Sequence, residues 1–246
     1  MRVLVLSDIH ANLAALEAVL EDAKKAGYDA AWCLGDTVGY GPEPDACVAQ
    51  VRALRAKTVM GNHDWAALGR MDLEDFNPEA ARAVEWTQEH MNPESLAWLS
   101  LLPRLPIEEG ACTLTHGSPR NPVWEYILYP STARANFEHF TTQFCLVGHT
   151  HVPAFYVLQE SDASVRAQTP TIGKLLALGS GSRIILSPGS VGQPRDSDPR
   201  AAYAILDTAA ATWEARRVIY PIEITQNHMR SARLPERLIN RLAFGW

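Results

Sequence analysis

The sequence predicts an α/β fold organised around parallel strands, and three observations carry that expectation. Short unbroken apolar runs alternate with stretches of helical periodicity, and each run empties into Gly, Asp, Asn or His. The order strand, helix, strand, helix, strand fills residues 3–60, the pattern of parallel pairing through right-handed crossovers. Turn residues stand at the carboxyl ends of the strands, where open α/β sheets place their ligands. Val3 to Leu6 is the first run, short enough for a buried strand, and it leads into Asp8 and His10. Asn12 is positioned to cap a helix whose apolar residues Leu13, Leu16, Val19, Leu20 and Ala23 fall three and four apart, with Gly27 as its stop. Ala30 to Leu34 forms the second strand and runs into Gly35-Asp36-Thr37-Val38-Gly39-Tyr40-Gly41. A helix opened by Pro42 is expected to reach Leu54, and a third strand, Thr58 to Met60, delivers Gly61-Asn62-His63-Asp64.

Residues from Trp65 to Leu102 read as helical, broken at Asn77-Pro78 and Asn92-Pro93, where each Asn is a cap before a Pro. Strands resume at Ile107 to Glu109 and Ala111 to Thr115, ending in His116-Gly117. A Pro- and aromatic-rich loop spans Arg120 to Tyr129, a helix Thr132 to Phe140, and the strand Phe144 to Val147 ends in Gly148-His149-Thr150-His151. The last third reads as β: Ala154 to Leu158, Arg183 to Leu186, Ala201 to Leu206 and Thr212 to Val218. Ser161 to Ser182, rich in Ser, Thr and Gly, is expected to be a surface hairpin or loop. From Ile224 to Trp246 two short amphipathic helices are expected, with Leu234, Leu238, Ile239 and Leu242 on one face. The arginines of this tail (Arg230, Arg233, Arg237, Arg241) fit a solvated face of a docked helix better than a nucleic-acid or membrane surface. With no internal repeat or flexible linker, residues 1–246 read as one domain.

Composition bounds the function. A net charge of -6 argues against nucleic acid as a stable partner, which basic stripes would meet. It leaves small phosphate compounds open, because bound metal inverts local charge. The cysteines Cys33, Cys47, Cys112 and Cys145 are widely spaced and read as free thiols in a reducing compartment. Without a signal-peptide pattern or a membrane-length apolar run, a cytoplasmic chain is expected, with no membrane partner.

Five strand ends carry Asp8/His10, Asp36, Asn62/His63, His116 and His149/His151. Five of the eight histidines therefore follow strands directly, which core packing does not ask of them. Imidazole, carboxylate and amide-oxygen donors without thiolate suit Mn, Fe or Zn more than a soft metal. With His63 set aside, the seven donors exceed one tetrahedral ion and fit two divalent or trivalent ions, a recurring arrangement in phosphate-ester hydrolysis.

The series D-x-H, G-D-x-x-G, G-N-H-D, H-G and G-H-T-H, spanning residues 8–151, resembles the calcineurin-like metallophosphoesterase superfamily. The compact size and the Ser187 to Arg200 segment are similar to its small YfcE-like bacterial and archaeal phosphodiesterases. The resemblance implies a four-layer αββα sandwich with a dimetal site at its apex. It implies that Asp8, His10 and His151 hold one metal, that Asn62, His116 and His149 hold the other, and that Asp36 bridges them. It further implies hydrolysis of a phosphodiester by a metal-bridging hydroxide, with His63 protonating the leaving oxygen and Asp64 orienting the His63 ring. A phosphomonoesterase, a protein phosphatase, a dinucleoside polyphosphate hydrolase and a non-catalytic scaffold share the fold and stand as alternatives.

Outside these blocks, Asn12 is a candidate for substrate contact, although capping explains it equally well. Arg120 and Arg195 lie in loops able to fold over the site, where a guanidinium would grip phosphate, and solvated surface arginine is the competing reading of each. Trp124, Tyr126 and Tyr129 either line a pocket or close their loop onto the core, and at least one is expected in the core. A small phosphate ester is the expected partner, and a homo-oligomer is compatible with the sequence.

Overall fold

The computed structural model describes residues 1–159, 164–179 and 181–246. Its first half runs β1 (Arg2–Leu6), α1 (Leu13–Ala26), β2 (Ala30–Cys33), α2 (Pro44–Ala53), β3 (Lys57–Thr58), α3 (Asn62–Ala67), α4 (Pro78–His90) and α5 (Pro93–Ser100). The second half runs β4 (Ile107–Glu109), β5 (Cys112–Leu114), α6 (Pro130–Asn136), β6 (Phe144–Leu146), β7 (Pro153–Leu158), β8 (Val165–Gln168), β9 (Leu175–Ala177), β10 (Ile184–Pro188), β11 (Ala201–Asp207) and β12 (Thr212–Val218). Two helices, α7 (Ile222–Ser231) and α8 (Glu236–Arg241), close the chain.

The strands form two six-stranded sheets, ordered β3-β2-β1-β11-β12-β9 and β4-β5-β6-β10-β7-β8. Within them β1, β2 and β3 are parallel, as are β5, β6 and β10. The sheets stack through a shared apolar layer that includes Val3, Val5, Trp32, Leu34, Leu114, Leu146, Leu186 and Trp213. Alternate residues of β1, Leu4 and Leu6, pack outward on Leu16 and Val19 of α1 and Val51 of α2. The other sheet turns Cys145, Tyr156 and Ile185 against Ala133 and Phe137 at α6. Both faces of each sheet are therefore covered, giving the αββα layering, and this is why β1 reads as an unbroken apolar run.

Several expected boundaries move, each for a local reason. α2 begins at Pro44 rather than Pro42, because Glu43 N–H is bonded to Ala11 O (3.1 Å) and the preceding turn is packed beneath the loop after β1. β3 pairs over two residues only, since Met60 N–H bonds Pro103 O (2.8 Å) instead of the sheet. α3 starts at Asn62, so Asn62, His63 and Asp64 occupy its first turn. The Ser161 to Ser182 segment falls partly outside the described residues. Its described part corrects the expectation of one hairpin or loop: β8 pairs with β7 in one sheet, and β9 pairs with β12 in the other. Leu178 is buried in the inter-sheet layer with Leu176 packed against it, so this stretch seals the sandwich edge.

The C-terminal helices pack Met229, Leu234, Leu238, Ile239 and Leu242 on Ala80 and Ala83 of α4 and on Tyr40. All four cysteines are free and buried. Among the described residues no helix is long and apolar enough to cross a membrane.

Candidate metal centre

The carboxyl ends of the parallel strands from both sheets meet at one apex, and main-chain bonds lock them together. Asp8 N–H bonds Gly35 O (3.0 Å), Gly148 N–H bonds His116 O (2.8 Å), and Val191 N–H bonds Ser7 O (3.0 Å). Asp8 reaches across the sheets, its Oδ2 accepting from His149 N–H at 3.1 Å. The approach is close enough that a Cβ on Gly148 would overlap Ser7 Oγ, and one on Gly61 would overlap Asp36 Oδ1. Asp8, His10, Asp36, His149 and His151 all take left-handed backbone conformations, with φ between 50° and 64°. Non-glycine residues rarely sit there, and such outliers gather where function requires them.

The imidazoles are oriented by backbone carbonyls. His10 Nδ1 faces Val38 O (3.1 Å), His116 Nδ1 faces Leu34 O (2.8 Å), and His151 Nδ1 faces Gln193 O (2.5 Å). His149 is turned the other way, its Nε2 on Trp124 O at 3.2 Å. A carbonyl only accepts, so each of these nitrogens carries the proton, and in a neutral ring the opposite nitrogen points inward as a lone pair. His10 Nε2 and His151 Nε2 then stand 3.1 Å apart, with Asp8 Oδ1 3.3 Å from His151 Nε2. Burial keeps both of these rings below the ordinary histidine pKa, His10 well below it.

The second cluster forms around His116 Nε2, with Asn62 Oδ1 at 3.1 Å, His149 Nδ1 at 3.2 Å and Asp36 Oδ2 at 3.3 Å. Burial opposes protonation of His116, but the Asp36 carboxylate overcomes it and lifts the ring to about 9. A proton on Nε2 thus occupies the point where three acceptors converge. Asp36 Oδ2 also lies 3.6 Å from His10 Nε2, between the clusters, and it is buried with no hydrogen-bond partner. Burial would raise Asp8 and Asp36, yet the imidazoles of His151 and His116 hold both well below the usual carboxylate range.

These donors fit cations. Contacts of 3.1–3.3 Å match the edges of a coordination shell with bonds of about 2.0–2.2 Å, and the facing lone pairs of His10 and His151 are otherwise repulsive. The sets Asp8/His10/His151 and Asp36/His116/His149 each bring their donor atoms within 4.8 Å of one another.

A Calcineurin-like phosphoesterase superfamily domain is recognised over residues 1–211. The chain belongs to that superfamily. It is 39% identical over 246 residues to an uncharacterized protein of Methanocaldococcus jannaschii, covering 98% of this chain and 97% of that one. A metallophosphoesterase from Sphaerobacter thermophilus superposes with a TM-score of 0.89 at 48% identity, over 100% of both chains. A hypothetical protein from Pyrococcus horikoshii shares the fold at 23% identity, with a TM-score of 0.79 over 100% of this chain and 98% of that one.

Around this metallophosphoesterase centre the remaining candidates separate. His63 sits at the rim, with a ring nitrogen in a donor cluster with His10 and Asp36. Its ring is caged by His10, Tyr40 and Phe76, with centroids at 4.9, 4.3 and 5.1 Å. Nδ1 is buried without a hydrogen bond, and burial pushes the ring's pKa down to about 4. The implied orientation of His63 by Asp64 is corrected. The Asp64 carboxylate accepts from Val38 N–H and Gly61 N–H, both at 3.1 Å, because neighbours on a helix turn project in different directions. Asp64 instead ties the turn after β2 to the start of α3.

Asn12 is fully engaged in structure. Its Oδ1 accepts from Ala15 N–H (3.2 Å) and Thr225 Oγ1 (2.8 Å), and its Nδ2 donates to Gly192 O (2.8 Å) and Tyr220 OH (3.1 Å). Capping, not substrate contact, accounts for it. Arg120 is paired with Glu125 on the surface, away from the cleft beside the centre. Arg195 does reach the centre's rim, bonding Tyr40 OH (3.3 Å) and Gln193 Oε1 (2.9 Å).

None of the three loop aromatics is a core residue. Tyr126 stacks on His149 at 3.8 Å, Trp124 is half-buried between Phe76 and His149, and Tyr129 is exposed. Sequence reasoning missed Tyr40, although its place inside the Gly39-Tyr40-Gly41 block was a signal. It also missed the orienting carbonyls of Leu34, Val38, Trp124 and Gln193, for which no side chain announces the role.

Proposed function

We propose that the chain is a dinuclear-metal phosphoesterase that cleaves phosphodiesters. Asp8, His10 and His151 would hold one ion, Asn62, His116 and His149 the other, and Asp36 Oδ2 would be shared. The observation that carries the reading is this buried oxygen, 3.3 Å from His116 Nε2 and 3.6 Å from His10 Nε2, between two sets of inward-facing donors. Manganese is the proposed ion, and iron or zinc would suit the same imidazole and oxygen donors.

When bound, such a pair of ions lowers the pKa of a shared water and neutralises charge on a phosphoryl group. The protein's own groups do the rest. The carbonyl-anchored imidazoles keep their lone pairs aimed without reorganisation, and the buried apex excludes bulk water. His63, with a ring nitrogen in the donor cluster of His10 and Asp36, would give a proton to the departing oxygen. Burial keeps that ring neutral alone, so an anionic phosphoryl group beside it is what favours its protonated form. Arg195, bonded only to neutral partners, stands ready for a phosphoryl oxygen at the rim. A diester has a second arm, and the cleft lined by Tyr40, Tyr126 and Arg195 has room for it.

A turnover screen of the Mn-loaded protein against mono-, di- and pyrophosphate esters tests this. The expected result is the highest kcat/KM on a diester. No turnover on any class, with metal bound, would favour a binding scaffold, and a preference for monoesters or pyrophosphates would move the chain to the alternative hydrolases.

A further inference from the structure

Beside the metal centre lies a cleft of about 770 Å³, large enough for a small organic phosphate. It shares two walls with the centre, because Tyr40 packs on His10 at 4.7 Å and Tyr126 stacks on His149. Its far wall is α8 with the residues after it, beyond the span of the superfamily domain.

Three guanidinium groups line this cleft: Arg195 from the loop after β10, and Arg237 and Arg241 from α8. Glu79, 3.7 Å from Arg237, is the one side-chain carboxylate in the lining among the described residues. Arg195 bonds neutral groups only, whereas Arg241 Nε donates to an oxygen of Trp246, the last residue of the sequence. Burial, with the nearby charges of Arg195 and Arg237, pushes Arg241 down to about 10. The expected solvated face of the tail holds for Arg230, Arg233 and Arg237, which are exposed, with Arg237 on the open side of the cleft, and is corrected for Arg241, which is half-buried in its lining. In a protein of net charge -6 this is a local reversal. Its extent, three cations around one concavity, suits a single compact anion rather than a polymer backbone.

We propose that this cleft binds a second phosphoryl group, so that the ester cleaved at the metal centre carries a further phosphate held by Arg195, Arg237 and Arg241. Guanidinium forks match phosphate oxygens, and three of them approaching from two elements meet a dianion from several sides. Phe244 and Trp246, stacked at 4.7 Å on the cleft wall, add an apolar face for an organic ring next to that group. The inference rests on the phosphoesterase reading and narrows its substrate class to esters bearing two phosphates.

The test uses the full Mn-loaded chain and two matched pairs of probes. Thymidine 5′-(p-nitrophenyl phosphate) is compared with its 3′-phosphorylated form, both of which release p-nitrophenolate. Independently of turnover, calorimetry compares the affinity for thymidine 3′,5′-bisphosphate with that for thymidine 5′-phosphate. The wild type is expected to favour the doubly phosphorylated member at least tenfold in each pair, with the kinetic preference in KM. R237Q/R241Q should bring both ratios near one, and R241K should restore part of them. Equal ratios in wild type and double variant, or no preference in the wild type, would overturn the proposal. Loss of turnover on both esters with an intact binding preference would instead remove the diesterase reading and leave the phosphate subsite standing.

Discussion

His10 and His151 present their Nε2 atoms to each other at 3.1 Å while each commits Nδ1 to a backbone carbonyl. Neither nitrogen of the facing pair has a proton to offer, so the contact is favourable only with a cation between them. The pair lies 141 residues apart in the chain, and the folded sheets alone bring it together.

Two ions per chain are therefore expected under saturating Mn²⁺, and Asp36→Asn should weaken both sites rather than one. Outer partners of metal ligands typically cost ~10–100-fold in affinity, so loss of the shared donor should cost at least ~100-fold. Elemental analysis with competitive metal titration measures this. Uptake of a single ion at saturation would remove the dinuclear scheme.

His63→Asn is expected to keep its metal and to lose ~10²–10⁴-fold in kcat/KM on alkyl diesters. Nitrophenyl diesters, whose leaving group is stable as an anion, should lose far less. His116→Ala should damage both classes together. Equal losses for His63→Asn on both substrates, with chemistry rate-limiting, would assign the ring to the phosphoryl oxygens instead of the leaving group.

Gly148→Ala should fold but bind metal poorly, because the added Cβ overlaps Ser7 Oγ and comes within 3.0 Å of Asp8 Oδ2. Metal affinity and thermal stability, measured side by side, should show the first falling more than the second. Unchanged affinity would mean that Asp8 is not held by this approach.

Asn12→Ala should lower stability by ~2–3 kcal/mol, since it removes a helix cap and leaves buried partners unpaired. KM on small esters should change little. A KM raised tenfold with normal stability would return Asn12 to the substrate.

Glu125 gathers Ser118 Oγ and Asn136 Nδ2, each at 2.7 Å, together with Arg120. Burial works against its charge, but these donors hold it down from 4.5 to about 2. A folded-state pKa below the unfolded one stabilises fully above about pH 4.5, and that contribution is lost as pH falls toward 2. Glu125→Gln should therefore lower Tm at pH 7 and converge with the wild type near pH 2. A constant difference across that range would mean that the carboxylate charge plays no part.

By itself the sequence determined the order of elements, because apolar periodicity and strand-end polar residues are local properties of neighbouring positions. Val3 to Leu6 reads as a strand buried on both faces, and the donor set from Asp8 to His151 stands out because each member follows such a strand. Only the tertiary structure decided what those side chains do. Which imidazole nitrogen points inward depends on carbonyls of Leu34, Val38, Trp124 and Gln193, and a carbonyl leaves no trace in residue identity. Asp64 was misread because adjacency in sequence is not adjacency on a helix turn. Arg241 alone of the tail arginines departs from a solvated face, because helical periodicity identifies the buried face of α8 but not what stands opposite the other one. That is set by where α8 docks on α4 and Tyr40, a packing of residues far apart in the chain.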